Sequence, residues 1–247
     1  MCGIVGYFGN NDAAPMLIKG LKRLEYRGYD SAGLAIMNGD SFMVNKKAGK
    51  VAELESLVSE SGLTGSVGIG HTRWATHGEP SDLNAHPHTD YSGKFALIHN
   101  GIIENYVALI KLLEQKGVEF RTQTDTEVLV QLISNIYHEQ DTTFETAVTS
   151  ALEKVVGTYG IIVMCSDEPN QLIAARLGSP LVLGVGEGEY FIASDASPLV
   201  EYTRNVIYLG DRECLFIGDD GYKIKKLGNN EKLDKKVSRS EDYLGPC

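Results

Sequence analysis

Short runs rich in Val, Ile and aromatic residues recur between Gly and Asp positions at 4–8, 33–37, 67–71 and 95–99, and their length and composition predict β-strands. The pattern returns after Thr158, at 160–165, 172–177, 181–185, 190–194, 206–209 and 214–217, as expected of meandering, largely antiparallel strands. Between the two sets, apolar residues follow helical spacing: Ile103, Tyr106, Val107, Ile110 and Leu113; then Val128, Leu129, Leu132, Ile133 and Ile136; then Phe144, Ala147, Val148, Ala151 and Leu152. Two earlier helices are predicted from Leu17, Ile18, Leu21 and Leu24 and from Val51, Leu54, Leu57 and Val58. Strands, three consecutive helices and strands again point to an α+β domain with helices layered on sheets. The last 26 residues, from Tyr222, are rich in Lys, Asn and Ser and nearly empty of large apolar residues after Leu227. They read as a linker or tail, which divides the chain into one domain over 2–227 and a tail over 228–247.

Composition narrows the class. A chain of 247 residues, 43% hydrophobic and 23% charged, is long enough for a self-sufficient core. Its 33 acidic against 23 basic residues, a formal charge of −10, argue against a nucleic-acid partner, whose phosphates call for clustered Lys and Arg. No apolar run reaches membrane-spanning length, and the start MCGIVGYFG lacks the basic region and apolar core of a signal peptide. The expectation is a cytoplasmic protein with no membrane association. Cysteines at 2, 165, 214 and 247 form no CxxC pair, which fits reduced thiols.

Two motifs are set aside. GVGEGEY at 184–190 resembles a phosphate-binding loop, but a strand-like run follows where a helix would be needed, so a hairpin turn is expected. Five of the six histidines fall at 71, 77, 86, 88 and 99, without a helical HExxH pattern or accompanying thiolates. Hydrogen-bonding histidines in an active-site loop explain the clustering better than a metal, and neither metal nor cofactor is expected.

Among the cysteines, Cys165 and Cys214 lie in apolar strand-like runs as core thiols, and Cys247 ends the polar tail. Cys2 differs: once Met1 is removed, its thiol and a free α-amine share one residue, and an amine titrating near pH ~8 can accept the thiol proton. The alternative is a cysteine that merely opens a strand. Arg73, in the loop GHTRWATHGEP, can bind a carboxylate through two parallel hydrogen bonds or form a surface ion pair. Asn100-Gly101 offers a side-chain amide and a backbone N–H as oxyanion donors, or a simple turn. Thr124 and Glu127 have capping-box spacing, so Asp125 either complements a helix dipole or, with Arg73, clamps the ammonium and carboxylate of an amino acid.

Five ordered blocks go further: CGIVGY at 2–7, LEYRGYDSAGL at 24–34, GHTRWATHGEPSDLNAHPH at 70–88, HNGIIENY at 99–106 and TDTEVLVQLI at 124–133. On these the chain resembles the glutaminase (type 2 glutamine amidotransferase) domain of the glutamine–fructose-6-phosphate aminotransferases, from Cys2 to about Leu227. The resemblance implies a four-layer αββα sandwich of the N-terminal nucleophile (Ntn) hydrolase type. It implies hydrolysis of L-glutamine through a Cys2 thioester, with Asn100 and the Gly101 N–H holding the oxyanion. Arg73 would bind the α-carboxylate and Asp125 the α-ammonium. Thr76 and His77 would belong to a closing loop, Trp74 to an ammonia gate, and Arg27 would support the nucleophile. In the family the ammonia converts fructose 6-phosphate to glucosamine 6-phosphate on an isomerase half, which is expected to be absent from this chain. The expectations are a glutaminase, monomeric as this fragment, or else an inactive glutamine-binding module.

Overall fold

The computed structural model describes residues 2–74, 78–228 and 231–239. In chain order they form β1 (Gly3–Phe8), α1 (Ala13–Leu24), a 3-10 turn at Glu25–Arg27, β2 (Ser31–Asn38), β3 (Ser41–Ala48), α2 (Val51–Ser61), β4 (Val67–Arg73), β5 (His88–Thr89) and β6 (Phe95–Ile103). There follow α3 (Tyr106–Glu114), α4 (Asp125–Gln140), α5 (Phe144–Leu152), β7 (Gly157–Cys165), β8 (Gln171–Leu177), β9 (Val182–Val185) and β10 (Tyr190–Ala193). Last come β11 (Asn205–Tyr208), β12 (Glu213–Gly218), β13 (Gly221–Lys226) and β14 (Ser238–Arg239). One sheet has the order β14-β11-β9-β10-β1-β4-β2-β3, the other β13-β12-β8-β7-β6-β5.

Side chains alternate across a strand, and that alternation builds the layers. On β1, Ile4 and Phe8 enter a core between the sheets, whereas Val5 and Tyr7 enter a second core under α1 and α2. On β7, Ile162 and Met164 face the inter-sheet core, whereas Tyr159, Ile161 and Val163 pack under α3, α4 and α5. Helices, sheet, sheet and helices therefore stack as the four-layer αββα sandwich. The strand pairs given by the register are antiparallel, and the 184–190 segment links β9 to β10 as a hairpin.

Three local differences from the sequence reading have physical causes. Ile103 closes β6 instead of opening a helix, because its N–H is taken by Asp125 while α3 starts three residues later. Ser41–Ala48 forms an edge strand whose partly buried Phe42 and Val44 pack on the inter-sheet core, a signal diluted by its polar face. Gly221–Lys226, read as the start of the tail, pairs with β12: Ile224 is buried between the sheets, and Lys223 and Lys225 on the opposite face meet Glu145 of α5. Among the described residues, no helix is long and apolar enough to cross a membrane.

Candidate active site

Antiparallel pairing of β1 with β4 places Cys2 beside the end of β4, because Gly3 pairs with Thr72. There the Trp74 N–H donates to Cys2 Sγ at 3.1 Å, and Sγ lies 3.5 Å from the Trp74 carbonyl oxygen. The Trp74 ring, 55% exposed, covers Gly28, whose φ is +101° and where a Cβ would come within 2.3 Å of the indole. Only glycine lets the ring settle there. Burial pushes the Cys2 thiol up, against the opposing effect of the Trp74 N–H. It is therefore a thiol at neutral pH and needs a base before it can attack.

Asn100 and Gly101 lie inside β6, paired with Gly160 and Tyr159 of β7, and are not a turn. Gly101 has φ +135°, and a Cβ there would meet the Thr158 carbonyl oxygen at 2.1 Å. The Asn100 side-chain NH2 donates to the Cys2 carbonyl oxygen at 3.1 Å, so it already points at the cysteine. Asp125 opens α4 behind the N-cap Thr124, whose hydroxyl accepts the Glu127 N–H at 3.3 Å. The other half of the capping box is absent, since the Glu127 carboxylate accepts instead from the N–H groups of Arg121 and Thr122.

Arg73, 4% exposed, donates to the carbonyl oxygens of Gly78 and Glu79 and lies 3.9 Å from Asp30, which makes it a buried cation and no surface salt bridge. Arg27 pairs with Asp195 at 3.0 Å and donates to the Ser194 hydroxyl, which in turn accepts the Ile4 N–H next to the nucleophile. A cavity of about 390 Å³ brings Cys2, Arg27, Arg73, Trp74, Asn100, Gly101 and Asp125 together. Thr76 and His77 lie outside the described residues.

The clustered histidines do not share one loop, although two of them end strands that the sequence predicts. His71 and His99 sit on β4 and β6, and the rings of His71, His86 and His88 pack together, buried, with centroids 4.1 and 4.8 Å apart. Desolvation holds His71 down to about 3 and His86 and His88 well below the usual range, so all three are neutral. Ser194 and Asp195, which hold Arg27, carry no local motif that marks them in the sequence.

A sequence profile for the glutamine amidotransferase domain matches residues 71–201. The chain belongs to that family. Over 99% of its length the amidotransferase chain is 55% identical to a protein of Chlorobaculum tepidum and 52% identical to one of Bacteroides thetaiotaomicron, each named glutamine–fructose-6-phosphate aminotransferase [isomerizing]. It spans 40% of the length of each of these relatives. Among solved structures, glutamine phosphoribosylpyrophosphate amidotransferase of Bacillus subtilis superposes with a TM-score of 0.80 at 28% identity, over 93% of this chain and 50% of the other. The enzyme titled as the allosteric regulatory enzyme of purine biosynthesis gives 0.81 at 29%, with the same coverage of both chains. The αββα sandwich of the amidotransferase domain is thus the Ntn-type fold of these neighbours.

Proposed function

We propose that this domain hydrolyses the side-chain amide of L-glutamine to glutamate and ammonia through a thioester on Cys2. The observation that carries the reading is the single cavity in which the Cys2 thiol, the Asn100 amide and two opposite charges, Arg73 and Asp125, converge. With Met1 removed, the α-amine of Cys2 takes the thiol proton as sulfur attacks the amide carbon. The Asn100 NH2 and the Gly101 N–H hold the oxyanion. The amine then passes the proton to the departing nitrogen, ammonia leaves, and water attacks the thioester to release glutamate and the thiol. Arg73 binds the α-carboxylate and Asp125 the α-ammonium, which selects a free amino acid. Arg27, held by Asp195, braces Ser194 and through it the backbone after Cys2. Thr76 and His77 complete the closing loop, and Trp74 forms the ammonia exit.

Because the relatives carry the name glutamine–fructose-6-phosphate aminotransferase over a length much greater than this chain, we assign the ammonia to fructose 6-phosphate on an isomerase half. The product there is glucosamine 6-phosphate, an amino-sugar precursor. By itself the domain is a monomeric glutaminase, and its reactive thiol suits the reducing cytoplasm.

The test is intact mass before and after incubation with an electrophilic glutamine analogue, alongside an assay of glutamate release. The expected result is loss of Met1, one adduct on Cys2, and turnover abolished in Cys2→Ala. Glutamine binding without turnover in the processed chain would make the domain a binding module.

A further inference from the structure

We propose that His71 is a positioning residue for the oxyanion site: its Nε2–H fixes the amide of Asn100 so that the NH2 faces Cys2. The inference rests on the thioester reading above and adds to it the device that orients its main donor.

An asparagine amide is nearly symmetric in shape, so something must decide which end faces the reacting carbonyl. His71 Nε2 lies 2.9 Å from Asn100 Oδ1 and 3.1 Å from the carbonyl oxygen of His99. A carbonyl oxygen can only accept, so Nε2 must carry a proton, and that proton is shared with Asn100 Oδ1. The Asn100 NH2 is left to point the other way, to the Cys2 carbonyl oxygen at 3.1 Å. A flipped amide would set its oxygen against that carbonyl and its NH2 against the imidazole N–H, losing both hydrogen bonds.

The imidazole suits the task because it is fully buried and cannot wander. Among the described residues its Nδ1 is buried without a hydrogen-bond partner, which favours the unprotonated state at that nitrogen and hence one tautomer. His86 Nδ1, 3.2 Å from His71 Nε2, lies on the acceptor side of the same proton. Desolvation keeps His71 neutral, so the orientation does not change with pH in the working range.

Strand alternation puts the pair in reach. Val67, Ile69 and His71 share the inter-sheet face of β4, and Ala96, Ile98 and Asn100 share that of β6. His71 therefore links the sheet that leads to Cys2 to the sheet that carries Asn100. This gives His71 a role distinct from that of a proton acceptor for the thiol.

The experiment compares wild type, Cys2→Ala, Asn100→Ala, His71→Leu, His71→Gln, His71→Asn and the double variant His71→Leu/Asn100→Ala. Gln places an amide N–H about where Nε2 sits, Leu removes the donor, and Asn is too short to bring one there. Each is assayed for kcat and KM with glutamine and for affinity toward L-glutamate and toward glutamate γ-semialdehyde, whose adduct with the thiol carries a tetrahedral oxyanion. In His71→Leu, kcat is expected to fall about 100-fold, the size of losing one oxyanion donor, with KM within about threefold. Semialdehyde affinity falls with kcat while L-glutamate affinity holds, Gln recovers most of the loss, and the double variant is no worse than Asn100→Ala. Losses shared equally by L-glutamate, Gln no better than Leu, or multiplying losses in the double variant would overturn the proposal. If His71→Leu does not fold, Gln against Asn decides: equal activity in the two overturns it. A wild-type chain that releases no glutamate, or an unimpaired Cys2→Ala, would instead sink the glutaminase reading and this proposal with it.

Discussion

The Asp125 carboxylate accepts the backbone N–H of Ile103 at 2.8 Å, which ties the first turn of α4 to the end of β6 two residues beyond Gly101. The bond couples two parts of the cavity, since the acid proposed to hold the substrate ammonium also anchors the strand proposed to hold the oxyanion. In Asp125→Asn the side-chain oxygen still accepts from Ile103 but the charge is gone. KM for glutamine is expected to rise about 100-fold with kcat within tenfold, while the melting temperature stays within a few degrees. Asp125→Ala additionally leaves the Ile103 N–H buried without a partner, at a cost of about 1–3 kcal/mol of stability. Kinetics and urea denaturation of both variants separate the two roles.

Acid dependence of turnover follows from the Cys2 environment. Burial raises the thiol above its ordinary range, so it stays protonated below that range and attack depends on the α-amine being free. With an amine near its ordinary value, ~8, kcat/KM is expected to fall about tenfold per pH unit below pH ~7. A profile flat from pH 5 to 8 would remove the amine from the mechanism.

Stability has its own acid dependence, carried by the buried histidines. His71, His86 and His88 have folded values held well below their unfolded ones, so the unfolded state binds protons first as pH falls and the folded state loses stability. The loss begins near the unfolded value, ~6.5, and continues toward the folded ones. Each histidine contributes a loss of a little over ~1 kcal/mol between pH 7 and 5.5, so the three together amount to about 4 kcal/mol. Urea titrations at the two pH values measure it, and equal unfolding free energies would show that these rings are charged or exposed.

The extent of the domain can be tested by truncation. Ending the chain after Asp220 removes β13, exposes the β12 edge and uncovers the inter-sheet core where Ile224 is buried. That chain is expected to aggregate or unfold. Ending it after Leu227 keeps β13 and removes β14, which pairs with β11, Leu233, which packs on the inter-sheet core, and Lys235, which pairs with the buried Glu213 at 2.5 Å. We expect cooperative unfolding with a loss of about 1–3 kcal/mol and intact glutamine hydrolysis, consistent with a domain over 2–227 and a tail over 228–247. Loss of a cooperative transition in this second chain would extend the domain past Leu227.

Much of the layering was legible because burial on both faces writes itself into composition. Strands such as 160–165 are apolar at nearly every position, and helices such as Phe144–Leu152 carry one clean apolar stripe. Edge elements escaped for the opposite reason. Ser41–Ala48 and Gly221–Lys226 bury one face at most, and Lys223 and Lys225 reach Glu145 through long stems that composition counts as surface. Ile103 fits the helical period although it ends β6, because an apolar residue next to a helix does so whether or not its N–H joins the ladder. Whether Asn100-Gly101 is a turn or lies within a strand depends on pairing with Tyr159 and Gly160, nearly 60 positions away in sequence.

Local residue order therefore specified an α+β layering of helices on sheets and the apolar faces, since strand and helix periods and turn residues act over a few neighbours, and it carried the blocks whose resemblance implied the sandwich. Convergence of Cys2, Arg73, Asn100 and Asp125 on one cavity depends on sheet register and on two sheets facing each other. The neutral His71 that meets the Asn100 amide, and the Ser194 that joins Arg27 to the backbone after Cys2, belong to the same long-range level. Desolvation and hydrogen-bond direction are set by atoms brought together from distant positions, so only the folded chain decides them.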